Sequence, residues 1–439
     1  MPRVSPADIP RLEAEVAASP GDTDLRVQLG MAQYAAGDYE AARTQLQAAV
    51  DAGNRSGAAY LYLGLVQEEL QDWAAAREAY TRYLSVASSS EARDEVRRRL
   101  TLIGRNLLRA QAQQALAQEA QIAGAAQVTP RSVAVLPLAF NSDRADLEPL
   151  IYALADMMTT DFAVSNALVV LERSQIQALL DEMALASSGY AEPTTGARAG
   201  RLLRAEHVFQ GVLTTLGESD LHTQADILNV PNTSSAGQLT ESAALQALFD
   251  MEKQIVIRTI REVLGVELTP AEEQAILENR MSNVLAFLAY GRGLREIDRG
   301  NYEAAQAEFA LSMQLDPSSF PSREAAMAEA ADLVRASAVT TSGLSDLAVA
   351  TGEVGIGALG PPRATLVDDV AVRSTLSTVT EAVAPAPTAG TLDVGVTTET
   401  RASVQTTRDP VQESRGAETV TGTAQAQIQI VIRNPGGTQ

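Results

Sequence analysis

The chain has 439 residues, enough for two or three domains, with 46% hydrophobic but only 4% aromatic residues, and every Phe, Tyr and Trp lies before Pro321. Lys and Arg number 34 against 55 Asp and Glu, a formal charge of -21. Residues 128–334 alone carry 14 against 29, which argues against nucleic acid and anionic lipid as partners. The lack of cysteine removes disulfides, thiolate catalysis and sulfur-ligated zinc, and no run approaches the roughly 18–20 apolar residues of a transmembrane helix.

From the N-terminus, "LGMAQYAAGDYEAARTQLQAAV" aligns with "LGLVQEELQDWAAAREAYTRYL". Gly30 falls on Gly64, Tyr39 on Trp73, Ala42 on Ala76 and Leu46 on Tyr80, each 34 residues apart. That is the tetratricopeptide period: paired antiparallel helices meet at small residues, and the large side chains fill the space between them. The resemblance implies a groove that binds protein segments. At the usual groove positions it would be lined by Val27, Met31, Tyr34, Leu61, Leu65 and Glu68. "SSSEARDEVRRRLTLIGRNLLRAQAQQALAQEAQ" predicts a long supporting helix, with Val96, Leu100, Ile103 and Leu107 on one face and Arg97–Arg99 as a solvated face. This helical region is expected to occupy residues 1–127.

Residues 128–280 alternate strand and helix signals, which predicts an α/β sandwich. "SVAVLPLAF" is a strand closed by Pro137, and Leu147, Leu150, Ile151, Leu154, Met158 and Phe162 recur at helical spacing. "ALVVLE" reads as a strand, residues 174–183 and about 195–204 as helices, and "HVFQGVLTTL" with "DLHTQADILNV" as a hairpin on a Gly-Glu-Ser turn. The segment 231–242 reads as a polar loop, and "SAALQALFDMEKQIVIRTIREVLG" as a closing helix. Residues 281–334 carry a third repeat copy, with Gly293, Gly300, Tyr302, Ala305, Phe309 and Pro317 at the repeat positions. Residues 335–439 are low in complexity and expected to be mostly disordered, apart from a terminal strand over 427–433.

Catalytic motifs fail on context. "LASSGY" lacks the first glycine of a nucleophile elbow, and Ser188 follows a helix instead of a strand. His207 and His222, the only histidines, are expected on one face of the hairpin but about six residues apart, too far to share a metal or a nucleophile. "GIGALG" (355–360) neither follows a strand nor opens a helix, so it is no dinucleotide fingerprint. The expectation is no enzyme, no cofactor and no metal.

The α/β segment, about residues 131–277, resembles the CsgG family of curli assembly and transport components, whose fold is akin to the N-terminal domain of TolB. The residues that carry the likeness are Glu172-Arg173 after the second strand, Ser188-Gly189 after the next helix, and "GRLLRA", with Gly200, Leu202, Leu203 and Ala205, leading into the next strand. Family members usually have Gly at the position of Arg204, and their lipid-carrying Cys has no counterpart in this chain. Pore-forming members need two extra amphipathic hairpins, for which 184–195 and 231–242 read as too short and polar, so the α/β unit is expected without a barrel.

The resemblance implies a non-enzymatic envelope assembly or secretion scaffold, periplasmic or outer-membrane-associated. Its CsgG-like domain would self-associate, giving a homo-oligomer, or dock, while the repeats bind protein. The alternative is a regulatory adaptor or activator docking onto an envelope enzyme or a signalling complex. The missing signal has two readings: Met1 lies downstream of the true start, or this branch is cytoplasmic.

Overall fold

A computed structural model describes residues 4–87, 89–122, 128–183, 193–217 and 219–350. Ser188, Gly189, the glycine-rich run at 355–360 and the terminal strand expected at 427–433 lie outside the described residues. By their contacts the described residues form two units, 4–103 with 335–350 and 104–334.

The first unit is a run of helices: α1 (Ile9–Ala18), α2 (Thr23–Ala35), α3 (Tyr39–Asp51), α4 (Gly57–Glu69), α5 (Trp73–Val86) and the first half of α6 (Ser90–Ala117). Each of α2 to α5 starts where a side-chain oxygen takes up an orphan N–H of the first turn, supplied in order by Asp22, Asp38, Ser56 and Asp72. The 34-residue glycines are explained by close approach. A Cβ on Gly30 would stand 2.5 Å from Leu46 Cγ, and one on Gly64 would stand 2.5 Å from the Tyr80 ring. One core holds Val27, Ala42, Leu46, Leu61, Leu65, Ala76, Tyr80 and Tyr83.

Arg99 corrects the expectation of a solvated arginine run. Arg97 is exposed and pairs with Asp94, but Arg99 is buried and its guanidinium grips Glu68 of α4. A turn of α6 points this one arginine inward because a buried carboxylate waits there.

The second unit opens with the rest of α6 and a short α7 (Glu119–Ile122), then β1 (Thr129–Val135) and β2 (Ala139–Asn141). These two strands lie along the same edge of β4, with Pro137 in the gap where the ladder breaks. There follow α8 (Leu150–Phe162), β3 (Val169–Val170), α9 (Arg173–Glu182), α10 (Pro193–Leu203), β4 (Ala205–Leu216), β5 (Asp220–Asn229) and β6 (Ser234–Ala244).

The sheet runs β3-β1-β4-β5-β6 with β2 also on β4; β1 to β4 pair in parallel, and β4, β5 and β6 form an antiparallel meander. Thus 231–242 is mostly a strand, not a loop. Its Ser, Gly, Gln and Thr residues hide the alternation because only Leu239 is buried. For the same reason the closing helix starts later than expected, as α11 (Leu248–Arg258), running into a wider π turn at Thr259–Val263.

Then come α12 (Pro270–Glu278), opened by a reciprocal Thr269/Glu272 cap, α13 (Val284–Asp298), α14 (Tyr302–Leu315) and α15 (Pro321–Ala338). The hairpin α13 with α14, expected as a third repeat copy, shows the same close approach: a Cβ on Gly293 would stand 2.3 Å from Phe309. It leans on the sheet unit, where Gly291 comes so near the Pro149 carbonyl of α8 that a Cβ would lie 2.0 Å from the oxygen. Tyr290 anchors the contact, with Phe309 and Phe320 rings at 5.8 and 5.6 Å. Under α8, Lys253 of α11 is fully buried between Asp161 and Glu252.

The chain does not lose structure at residue 335. It completes α15 and forms a further helix, α16 (Thr341–Ala350), packed in the first unit. "TSGLSDLAVA" carries little helical periodicity, so its helix rests on tertiary packing.

Candidate functional site

The expected repeat groove would lie along α2 and α4, the first helices of the two hairpins. Of the six residues expected to line it, Val27, Leu61 and Leu65 are fully buried in the core between helices, and Met31 nearly so. Glu68 accepts from Tyr80 Oη at 3.0 Å and from Arg99 Nε at 3.0 Å. Tyr34 remains half-exposed, its ring edge-on to Tyr62 at 5.5 Å, and it shares a hydrogen bond with Thr341 of α16.

The side chains of α4 that meet α16 are one position further round the helix. Tyr62 Oη lies 2.7 Å from Ser345 Oγ, and Glu69 accepts from the Thr341 hydroxyl. A step of one residue turns an α-helix by about 100°, which separates the stripe facing α16 (Tyr62, Glu69) from the stripe facing α5 and α6 (Leu61, Leu65, Glu68).

In the second unit Glu172 and Arg173 close β3 and open α9. Arg173 is buried and donates to both Asp298 oxygens, at 2.7 and 3.0 Å, with Asp156 at 3.5 Å. Asp156 accepts in turn from Tyr290 Oη at 2.6 Å. Burial lifts the Asp156 carboxyl above its usual range, a push that the Arg173 charge opposes. Glu172 occupies the helix N-cap without capping it; burial, and then the nearby Glu329 charge, push its carboxyl up to about 7. Beside this cluster lies a polar cleft lined by Arg105, Arg109, Ser174, Gln177, Asp181 and Tyr302, in which Arg105 pairs with Glu329 at 2.9 Å. Its charges are largely spent on one another.

The "GRLLRA" segment is a packing device. Gly200 lets α10 press on the sheet, since a Cβ there would stand 2.4 Å from Val230 and 2.7 Å from Val208. Leu202, Leu203 and Ala205 are buried in the core beneath α9 and α10. Arg204 holds φ at +56, the left-handed region that favours glycine, as the chain turns from α10 into β4, and its carbonyl accepts from Thr129 N at 2.8 Å. Replacing Arg204 by Gly is expected to stabilise the fold by about 1 kcal/mol. The check is a higher urea midpoint at unchanged slope.

The histidines correct a further expectation. The register sets His222 opposite Thr214, so it shares the sheet face of the even-numbered β4 residues, whereas His207 lies on the opposite face with Phe209. Among the described residues no group of three or more His, Asp or Glu is placed to hold a metal ion.

Two family models match. Residues 27–92 match the tetratricopeptide repeat, and residues 113–222 match the curli production assembly/transport component CsgG. A stretch similar to tetratricopeptide repeats thus precedes a stretch similar to CsgG. The CsgG match starts within α6 and ends in β5, so it holds the Glu172-Arg173 clamp and the Gly200 packing contact but stops short of β6 and α11. The repeat match covers the first two hairpins and the groove. No curated protein matches the chain. Both families serve protein interaction and assembly, and both are non-catalytic. No helix among the described residues is long and apolar enough to cross a membrane.

Proposed function

We propose that this protein is a non-enzymatic assembly or secretion scaffold of the cell envelope, in which the CsgG domain self-associates or docks and the repeat groove holds a protein segment. One observation carries the reading. Arg173, in the most distinctive stretch of the CsgG domain, is clamped to Asp298 of a repeat-type hairpin, so that the assembly-type sheet and an interaction-type hairpin belong to one packed unit. The six groove residues support the groove mostly by shaping it, with Tyr34 reaching its occupant.

The envelope assignment rests on the family. Cell fractionation followed by mass photometry of the purified protein tests both parts. The scaffold reading expects envelope association and particles of several identical subunits. A stoichiometric complex with one enzyme, and no larger particle, would favour the regulatory adaptor instead. A cytosolic monomer without partners would contradict both.

A further inference from the structure

The face of α4 that borders the expected groove is already covered by α16 of the same chain. Leu344 and Ala348 are fully buried against the repeat core, and Leu347 nearly so. Three polar contacts set the register: Ser345 on Tyr62 at 2.7 Å, and Thr341 on both Glu69 and Tyr34. Thr341 is the first residue of α16, so the Glu69 carboxylate faces the positive end of the helix dipole.

The connector is pinned as well. Arg99, held by Glu68, donates to the Ala336 carbonyl at 3.0 Å and to that of Val339. The seat is therefore apolar with two tyrosyl hydroxyls and one carboxylate. It selects a helix by a small hydroxyl side chain one place after the first of two leucines three apart, with its N-terminus toward Glu69.

We propose that α16 is an internal occupant of the groove, and that the groove's partner is an apolar helix of another protein with the same pattern, which binds by displacing α16. This deepens the scaffold reading and rests on its assignment of the groove to protein binding. The physical case is the hold on α16 against its tether: it is kept in place by three buried apolar side chains, Leu344, Leu347 and Ala348, and by the Ser345 and Thr341 hydroxyls. Its tether raises its local concentration to the order of millimolar. A free copy of the same sequence competes poorly against that concentration.

The test uses the full chain and a fluorescent peptide spanning residues 338–350. In the Leu344→Asp, Leu347→Asp variant, whose own helix is ejected, the peptide is expected to bind at least tenfold more tightly than to the unaltered chain. Adding Tyr62→Ala should abolish that gain. Equal binding to both chains, with the repeats still helical by circular dichroism, would overturn the proposal and make α16 a fixed cap.

Hydrogen exchange on the unaltered chain reaches the same decision if the variant fails to fold. Amides of α16 should exchange at least tenfold faster than those of α4; equal protection would overturn the proposal. Peptide capture by a protein that fractionates as a cytosolic monomer would leave the groove inference standing and remove the envelope scaffold. Oligomers in the envelope with a groove that never opens would do the reverse.

Discussion

Replacing Arg173 by Met is expected to lower the stability of the sheet unit by about 3–5 kcal/mol, because it leaves buried carboxylates without their cation. The guanidinium serves Asp298 in a two-pronged contact and Asp156 at 3.5 Å, and burial already holds Asp156 above its usual range. Met restores volume but not charge. Arg105, 3.8 Å from Asp298, offsets a part of the loss. Arg173→Lys should recover little, since an ammonium cannot span both oxygens. Asp298→Asn placed in the Met background should return a part of the stability, giving a coupling of the order of 1–3 kcal/mol in a double-mutant cycle. Urea unfolding followed on the sheet transition measures all three. A loss below about 1 kcal/mol would mean that the hairpin is held by its aromatic contacts and not by the clamp.

Lys253→Met should cost a similar amount at neutral pH, about 3–5 kcal/mol, and with a distinctive pH dependence. Lys253, the only lysine of the chain, lies 2.8 Å from Glu252 and also pairs with Asp161, which accepts from Asn279 Nδ2 at 2.7 Å. One cation cannot balance two buried carboxylates. Burial, and then the Asp161 charge, hold Glu252 well above its ordinary value, and burial raises Asp161 as well.

The sign follows from linkage. Both acids are raised in the folded state, so the stability they contribute is present below the unfolded carboxylate range, near pH 4, and is lost as pH rises through their folded values. Removing the lysine pushes both acids higher still. The deficit of the variant should therefore be largest at neutral pH and above, and should shrink toward pH 4, where protonation of the unfolded acids approaches that of the folded ones. Thermal unfolding between pH 4 and 8 checks this; a deficit independent of pH would reassign the lysine to packing alone.

The parts of the fold that were legible in the sequence are those in which a local pattern meets a strict steric need. The 34-residue glycine spacing was readable because Gly30 and Gly64 each admit a large side chain that a Cβ would strike, as Gly293 does far downstream. The β4–β5 hairpin was readable because its strands alternate around a glycine turn at Gly217, whose φ is +66. The family position at Arg204 showed as an oddity in sequence, and the structure gives its reason in a left-handed backbone.

What stayed hidden depends on distance along the chain. Arg99 reads as one of three surface arginines until Glu68, 31 residues earlier, and the Ala336 carbonyl, 237 residues later, are brought to it. Arg173 marks the family in sequence, but its partner Asp298 lies 125 residues away on α13. The strand β6 and the helix α16 are built from Ser, Ala, Gly and Thr, whose weak patterns are overridden by the surfaces they pack on. Of the residues read as lining a groove, Val27, Leu61 and Leu65 turn into the core, and the contact of α4 with α16 falls one residue further round the helix.

The most direct measurement of the central claim is crosslinking of the full chain in intact cells, with the crosslinked sites mapped by mass spectrometry. The account predicts intermolecular crosslinks in two sets. One set joins the CsgG domain to a second copy or a docking protein. The other joins α2 and α4, around Tyr34 and Tyr62, to a recurring protein segment. A chain recovered only as a monomer, with crosslinks confined to itself, would contradict it.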